Sequence, residues 1–406
     1  MAAVLVGRCS AALFVKLVRL PSQLLFDITE LPFDVFNVQG QLLLSAGAPI
    51  DYGTRLQLLR WAVYAEETES QPWREQMEQL AEERKERARR ASEDYLLSSR
   101  RRSLSQEWTM AAMALEAALR EPREDGRWIR AVRELRTRAR HLVEISLDAS
   151  VCHLIHTGGL HTNLYSCHQS LRCMVVAGEC ARVLGWDSGR IESLELAALT
   201  MNVSIRRMQD MLALRDMGIS AGLRAQLAQH PRDSARLLAA AGVIDGVWLG
   251  AVMLHHDSQL DAQPLAGLST AQQAARLLRR VDIFCAKLSR RGHRAPMLGL
   301  RAVREACVGP DGKPDEIGTA LLRTVGMYPP GSFVRLASGE CALVLARGSR
   351  AHAPRVASFA DANGAALAQP RLRDTTQATL AVKTSLSPAD VHERPNHEKL
   401  LALLLR

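Results

Sequence analysis

At 406 residues, with 47% hydrophobic and 23% charged residues, the chain is long enough for two or three compact units and has a globular rather than a disordered composition. Its formal net charge of +9, much of it arginine, suits phosphate-bearing ligands or anionic surfaces but proves neither. Eight cysteines without a C-x-x-C pair point away from a disulfide scaffold and toward a reduced, cytoplasmic protein.

The first twenty residues are apolar, but Arg8, Lys16 and Arg19 interrupt the apolar core that a signal peptide needs. No uncharged apolar run is long enough for a membrane span. In LPFDVFNVQGQLLLSAGAPI, Val35, Phe36 and Val38 run up to Gly40, and Leu42-Leu43-Leu44 follow; this predicts a short hairpin. Thr54 to Tyr64 has the spacing of an amphipathic helix. Residues 1–65 therefore read as a small α+β unit.

Residues 66–110 are dense in both signs of charge and read as a helical connector laced with i,i+4 pairs such as Glu83 with Arg87 and Glu86 with Arg90. Arg100-Arg101-Arg102 has no aromatic interleaving to stack bases, so nucleic acid is not an expected partner.

Residues 111–326 are rich in Ala, Leu, Arg and Met and are helical by pattern, with breaks at Pro122–Gly126, Gly158-Gly159, Gly185–Gly189, Gly218–Gly222, Pro231, Gly242–Gly246 and Pro264–Gly267. A bundle of about six to eight helices is expected. Residues 327–406 form a small β-rich unit. Phe333–Leu336 and Ala342–Leu345 flank a tight turn at Ser338-Gly339, a further run ends at Asn363-Gly364, ATLAVKTSL is one more strand, and a short helix closes the chain. The fold class is thus mainly α, a helical bundle with small units at each end.

Inside the helical region, histidines and one acid recur on separate segments: His168 in LYSCHQS, His230 before Pro231, His255-His256 before Asp257, and Asp282 in ARLLRRVDIF. Metal sites in bundles are assembled in this way, because several ligands must converge from different helices. His153 and His156, one turn apart beside Gly158-Gly159, read more simply as surface or capping residues. Cys167 and His168 are neighbours on a helix and do not face each other, which argues against a thiol nucleophile.

The order of these segments resembles the HD-GYP family, HD-domain metal-dependent phosphohydrolases that open cyclic di-GMP. LYSCHQS is similar to the helix with the family's first metal-binding His. ELAALTMN stands where the family reads A-L-L-H-D, Gln229-His230-Pro231 is similar to its H-P stretch, and MLHHD to x-x-H-H-E. ARLLRRVDIFCAKLSRRGHRAP resembles A-R-I-L-x-V-A-D … S-x-R-P-Y-R. The flanking units resemble those that accompany the family's domain. The resemblance implies an HD-type helical bundle, with His168, His230, His255, His256 and Asp282 as metal ligands and Arg276, Arg290 and Arg294 as phosphate contacts.

The departures fall on the chemistry. Met201-Asn202 replace His-Asp, Ile205 replaces a Lys, Leu164 replaces a Glu found in some members, and SQLDAQPLAGL keeps little of Gly-Tyr-Pro. Asn202 offers a neutral carbonyl in place of a bridging carboxylate, and Met201 a soft thioether, so two hard cations have no shared acid to hold them about 3.5–4 Å apart. No catalytic residue is expected at Met201, Asn202 and Ile205. By the resemblance, His230, His255 and His256 converge on one metal position, which suits a single divalent Fe, Mn or Zn ion; alternatively these histidines are satisfied by hydrogen bonds in the core. The expected function is a degenerate binding or regulatory module in bacterial cyclic di-GMP signalling, partnered by the dinucleotide or by other signalling proteins. The alternatives are a working metal-dependent phosphodiesterase and a pure scaffold docking through residues 66–107.

Overall fold

The computed structural model describes residues 4–6, 15–21, 30–50, 54, 58, 62–80, 82–83, 102–214, 220–292, 294–309, 312–393 and 395–405. Its contacts divide the chain into two compact units, 1–101 and 102–406.

The first unit is built on an antiparallel sheet, β1 (Val4–Val6), β2 (Val15–Arg19), β3 (Val35–Phe36), β4 (Leu42–Leu44) and β5 (Tyr64–Glu66), in the order β1-β2-β5-β3-β4. The expected hairpin is β3–β4. Its turn is closed by Asn37 Oδ1, which accepts from the amides of Gln39 and Gln41, and by Gly40 at φ 77°. Leu20, Leu31, Phe33, Val35 and Ala65 form its core. Trp73, from the helical stretch 67–80, meets Phe33 edge-on at 5.4 Å. The helix expected over Thr54–Tyr64 is corrected at its end, since Tyr64 lies in β5; Thr54 and Leu58 are helical, and most of the rest lies outside the described residues. The proposed pairs Glu83–Arg87 and Glu86–Arg90 also involve residues outside them.

The second unit is mainly helical. Its helices are α1 (Leu104–Leu119), α2 (Arg127–Ile145), α3 (Leu147–Leu160), α4 (Tyr165–Val183), α5 (Ser188–Thr200), α6 (Arg206–Leu214), α7 (Ala221–Ala240), α8 (Gly246–Leu254), α9 (Thr270–Leu288), α10 (Gly299–Cys307), α11 (Glu316–Val325) and α12 (His397–Leu401). More helices form than the glycine and proline punctuation foretold, because short α6, α8 and α10 are set off by polar turns and 3-10 segments. Starts follow local chemistry: Ser103 and Ser269 build capping boxes with Gln106 and Gln272, and Asp187, Ser220 and Asp245 cap α5, α7 and α8. Pro231 is a correction. It lies inside α7, which runs through it unbroken.

α4 is buried on nearly all sides and packs against α5, α9 and α11. α9 turns Leu277, Leu278, Val281 and Phe284 into the same core. A buried ionic cluster ties α2, α4 and α5 together. Glu195, fully buried, accepts from Arg136 Nε at 2.7 Å, while Arg182 lies at 3.2 Å and Arg140 at 3.7 Å.

The second sheet, in the order β10-β6-β7-β8-β9, is antiparallel throughout: β6 (Phe333–Leu336), β7 (Cys341–Arg350), β8 (Ala353–Ala360), β9 (Ala366–Asp374) and β10 (Val382–Leu386). Alternation along the strands gives it two apolar faces. Phe333, Leu343, Leu345 and Phe359 join the helical core, while Val334, Leu336, Val344 and Val356 form a separate cluster. α12 then buries Leu400 and Leu401 against the helices. No helix among the described residues is long and apolar enough to cross a membrane.

Candidate metal centre

Three of the five histidine and acid positions expected as ligands converge: a ligand atom from each of His230, His255 and His256 lies within 4.8 Å of the others. His230 comes from the middle of α7; His255 and His256 follow the end of α8. The rings lie close together, at 4.2 Å between His255 and His256, 4.9 Å between His230 and His256 and 5.1 Å between His230 and His255. His230 and His255 are buried and His256 is exposed at the rim.

The orientation of the buried pair is set by backbone carbonyls. His230 Nδ1 lies 2.6 Å from the Leu227 carbonyl and His255 Nδ1 lies 2.7 Å from that of Val252. A carbonyl only accepts, so each Nδ1 bears the hydrogen and each Nε2 is left as a lone pair. The two Nε2 atoms face each other at 3.2 Å. Lone pairs that close repel unless a cation, either a proton or a metal ion, lies between them.

A proton is disfavoured. Burial holds the His230 imidazole down at about 4, with His256 adding to the depression and Asp282 opposing it. Burial, together with His256 and His230, holds His255 well below the ordinary histidine range. His256 is lowered by the protein crowded around it and by Arg279, against the pull of Asp282. Three neutral imidazoles with two aimed lone pairs and Nδ1–H anchored to carbonyls form a donor set that fits a borderline divalent cation.

Asp282, on α9, is near enough to act electrostatically on His230 and His256, and its carboxylate has a hydrogen-bond partner of its own. Gln169 Nε2 donates to Asp282 Oδ1 at 2.8 Å and to its carbonyl at 3.0 Å. Gln169 Oε1 in turn accepts from buried Arg172 at 2.9 Å. His168 stands apart from the trio. Burial, with Arg172 and His161 adding to it, lowers it to about 4, and its Nδ1 has no hydrogen-bond partner among the described residues.

The positions that depart from the family pattern are interior. Met201 is fully buried in the core and Asn202 and Ile205 are nearly so. Leu164 is the N-cap of α4 at φ 49°, an unusual conformation for a non-glycine residue, and its carbonyl accepts from the His168 N–H at 3.0 Å. Ser204 donates to the His230 carbonyl at 3.1 Å and lies 2.9 Å from Ser234 Oγ, stitching this segment to α7.

The arginines implied as phosphate contacts are divided by the structure. Arg276 is buried, donating to Asp315 at 2.9 Å and to the Gln263 carbonyl. Arg280 is buried on the same Asp315, and Arg206 is ion-paired to Glu116. Arg290 is exposed, and exposed Arg294 donates to the Ala286 carbonyl. His153 and His156, expected at the surface, are buried instead: His153 Nδ1 lies 3.0 Å from His397 Nε2, and His156 stacks on His397. The partner, far away on α12, left no signal in the local sequence.

No family model matches the chain. A cyclic di-GMP phosphodiesterase of Pseudomonas aeruginosa is 29% identical over 136 residues, 32% of this chain and 32% of that protein's length. The similarity thus spans about a third of each protein. A solved HDGYP protein of Bdellovibrio bacteriovorus, 14% identical, aligns over 75% of this chain and 98% of its own at a TM-score of 0.41.

Proposed function

We propose that the protein is a catalytically degenerate HD-GYP-like module that holds one divalent cation and serves as a binding or regulatory component in cyclic di-GMP signalling. The observation that carries the reading is the pair of Nε2 lone pairs of His230 and His255 at 3.2 Å, inside a trio of neutral imidazoles. His230, His255 and His256 hold the ion, and Fe, Mn and Zn are the metals suited to this donor set. Such a cation supplies a Lewis-acidic point for a phosphate oxygen. Asp282 lends negative charge from one side.

The second cation position of the family is lost on this reading. Asn202 and Met201 offer no bridging carboxylate and no imidazole, both are buried, and His168 keeps apart from the trio. The dinucleotide enters from the relative's name, a cyclic di-GMP phosphodiesterase. Exposed Arg290 and Arg294 are the phosphate contacts that remain in this proposal, Arg276 being committed to Asp315. We place the protein in the cytoplasm.

The test is metal content of protein purified without chelators, read beside calorimetry with cyclic di-GMP. One cation per chain, dinucleotide binding and no turnover under Mn or Fe supply support the proposal. Two cations per chain, or linearisation of the dinucleotide that disappears in His255→Ala, would replace it with the second reading, a working phosphodiesterase. Absence of both cation and nucleotide binding leaves only a scaffold.

A further inference from the structure

Pro231 sits inside α7, where its residue type is unfavourable, immediately after a histidine of the trio. A helical residue at 231 normally donates its N–H to the carbonyl four residues earlier, that of Leu227. Proline has no N–H, and its ring pushes that carbonyl aside. The Leu227 carbonyl is the group that His230 Nδ1 reaches at 2.6 Å.

At His255 the same result comes by another route. Val252 lies in the last turn of α8, where carbonyls lack an intrahelical donor, and its oxygen receives His255 Nδ1 at 2.7 Å. A helix end is available to His255. His230, in mid-helix, has no such end nearby, and the proline creates the equivalent of one.

We propose that Pro231 is a positioning residue: by leaving the Leu227 carbonyl without a backbone donor, it locks His230 in the Nδ1–H tautomer and aims Nε2 at the cation. The consequence for metal binding rests on the proposed three-histidine centre; the consequence for the tautomer does not.

Pro231→Ala restores a backbone N–H that competes for Leu227. In metal-free protein, long-range 1H–15N spectra should show His230 purely as Nδ1–H in the parent chain and as a tautomer mixture in Pro231→Ala. Zinc affinity, by competition with a chromophoric chelator, should fall about 10- to 100-fold. The melting temperature should rise, because alanine suits a helix interior better than proline. A merely structural role for Pro231 predicts affinity and stability moving together. A backbone ester at 231 carrying the alanine side chain lacks the N–H again and should restore both tautomer and affinity. An unchanged His230 tautomer in Pro231→Ala, or an ester that fails to rescue, overturns the inference. A parent chain that binds no zinc yet shows the tautomer switch overturns only the proposed metal centre.

Discussion

Acidifying the metal-free protein should destabilise it through its buried histidines before the lowered acids Asp315 and Glu340 take up protons. His230, His168 and His397 are each held at about 4, in every case mainly by burial, against an ordinary 6.5 when unfolded. The sign follows from linkage. A histidine with a depressed folded pKa binds more protons unfolded than folded, so stability is full above about pH 6.5 and is lost as the pH falls toward about 4. Between about pH 7.5 and about pH 5 each of the three should cost about 2 kcal/mol. Together they remove about 6 kcal/mol, a large part of the 5–15 kcal/mol typical of a folded domain. His153 and His255, held well below the ordinary histidine range by burial, act in the same direction. The shifted acids Asp315 and Glu340 are lowered, so their contribution persists until the pH falls below the usual carboxylate range. The window above pH 5 therefore isolates the histidines. Urea unfolding at the two pH values gives the magnitude from the midpoint at constant m, and His397→Asn should shrink the difference by about 2 kcal/mol. Equal stability at both pH values, or greater stability at pH 5, would show that these rings are solvated and would refute the reasoning about the centre's neutral imidazoles.

Saturating zinc at about 100 times its Kd should stabilise the chain by about 2.7 kcal/mol at neutral pH and leave His255→Ala unmoved, as read by thermal melting. Glu195→Ala leaves three arginines around an empty acid position and should cost about 3–5 kcal/mol in urea unfolding. Gly158→Ala should destabilise by about 1–3 kcal/mol, since a Cβ there would meet Arg172 Nη1 at 2.0 Å; unchanged stability would mean that Arg172 has room to move. Arg294→Ala should weaken cyclic di-GMP binding without altering the melting temperature, whereas Arg276→Ala should lower the melting temperature by breaking its pair with Asp315.

Some of the fold was legible because its causes are local. The β3–β4 hairpin follows from Asn37 and Gly40, β6 and β7 from the Ser338-Gly339 turn, and α1 and α9 from serine capping boxes. β9 was missed because LAQPRLRD is a polar edge strand with Pro370, and its pairing with β8 rather than its own pattern makes it a strand. Pro231 reads as a stop in one dimension and as part of a helix in three, because the Leu227 carbonyl finds a donor in a side chain.

Residue identity gives the histidines and the acid, their order along the chain, and a neutral Asn202 where the resemblance expects an acid. Packing brings His230, His255 and His256 together without His168, commits Arg276 to Asp315, and sets two lone pairs against each other. Distance and tautomer depend on how α7, α8 and α9 pack and on which carbonyls are left open, and neither is written in the spacing of histidines.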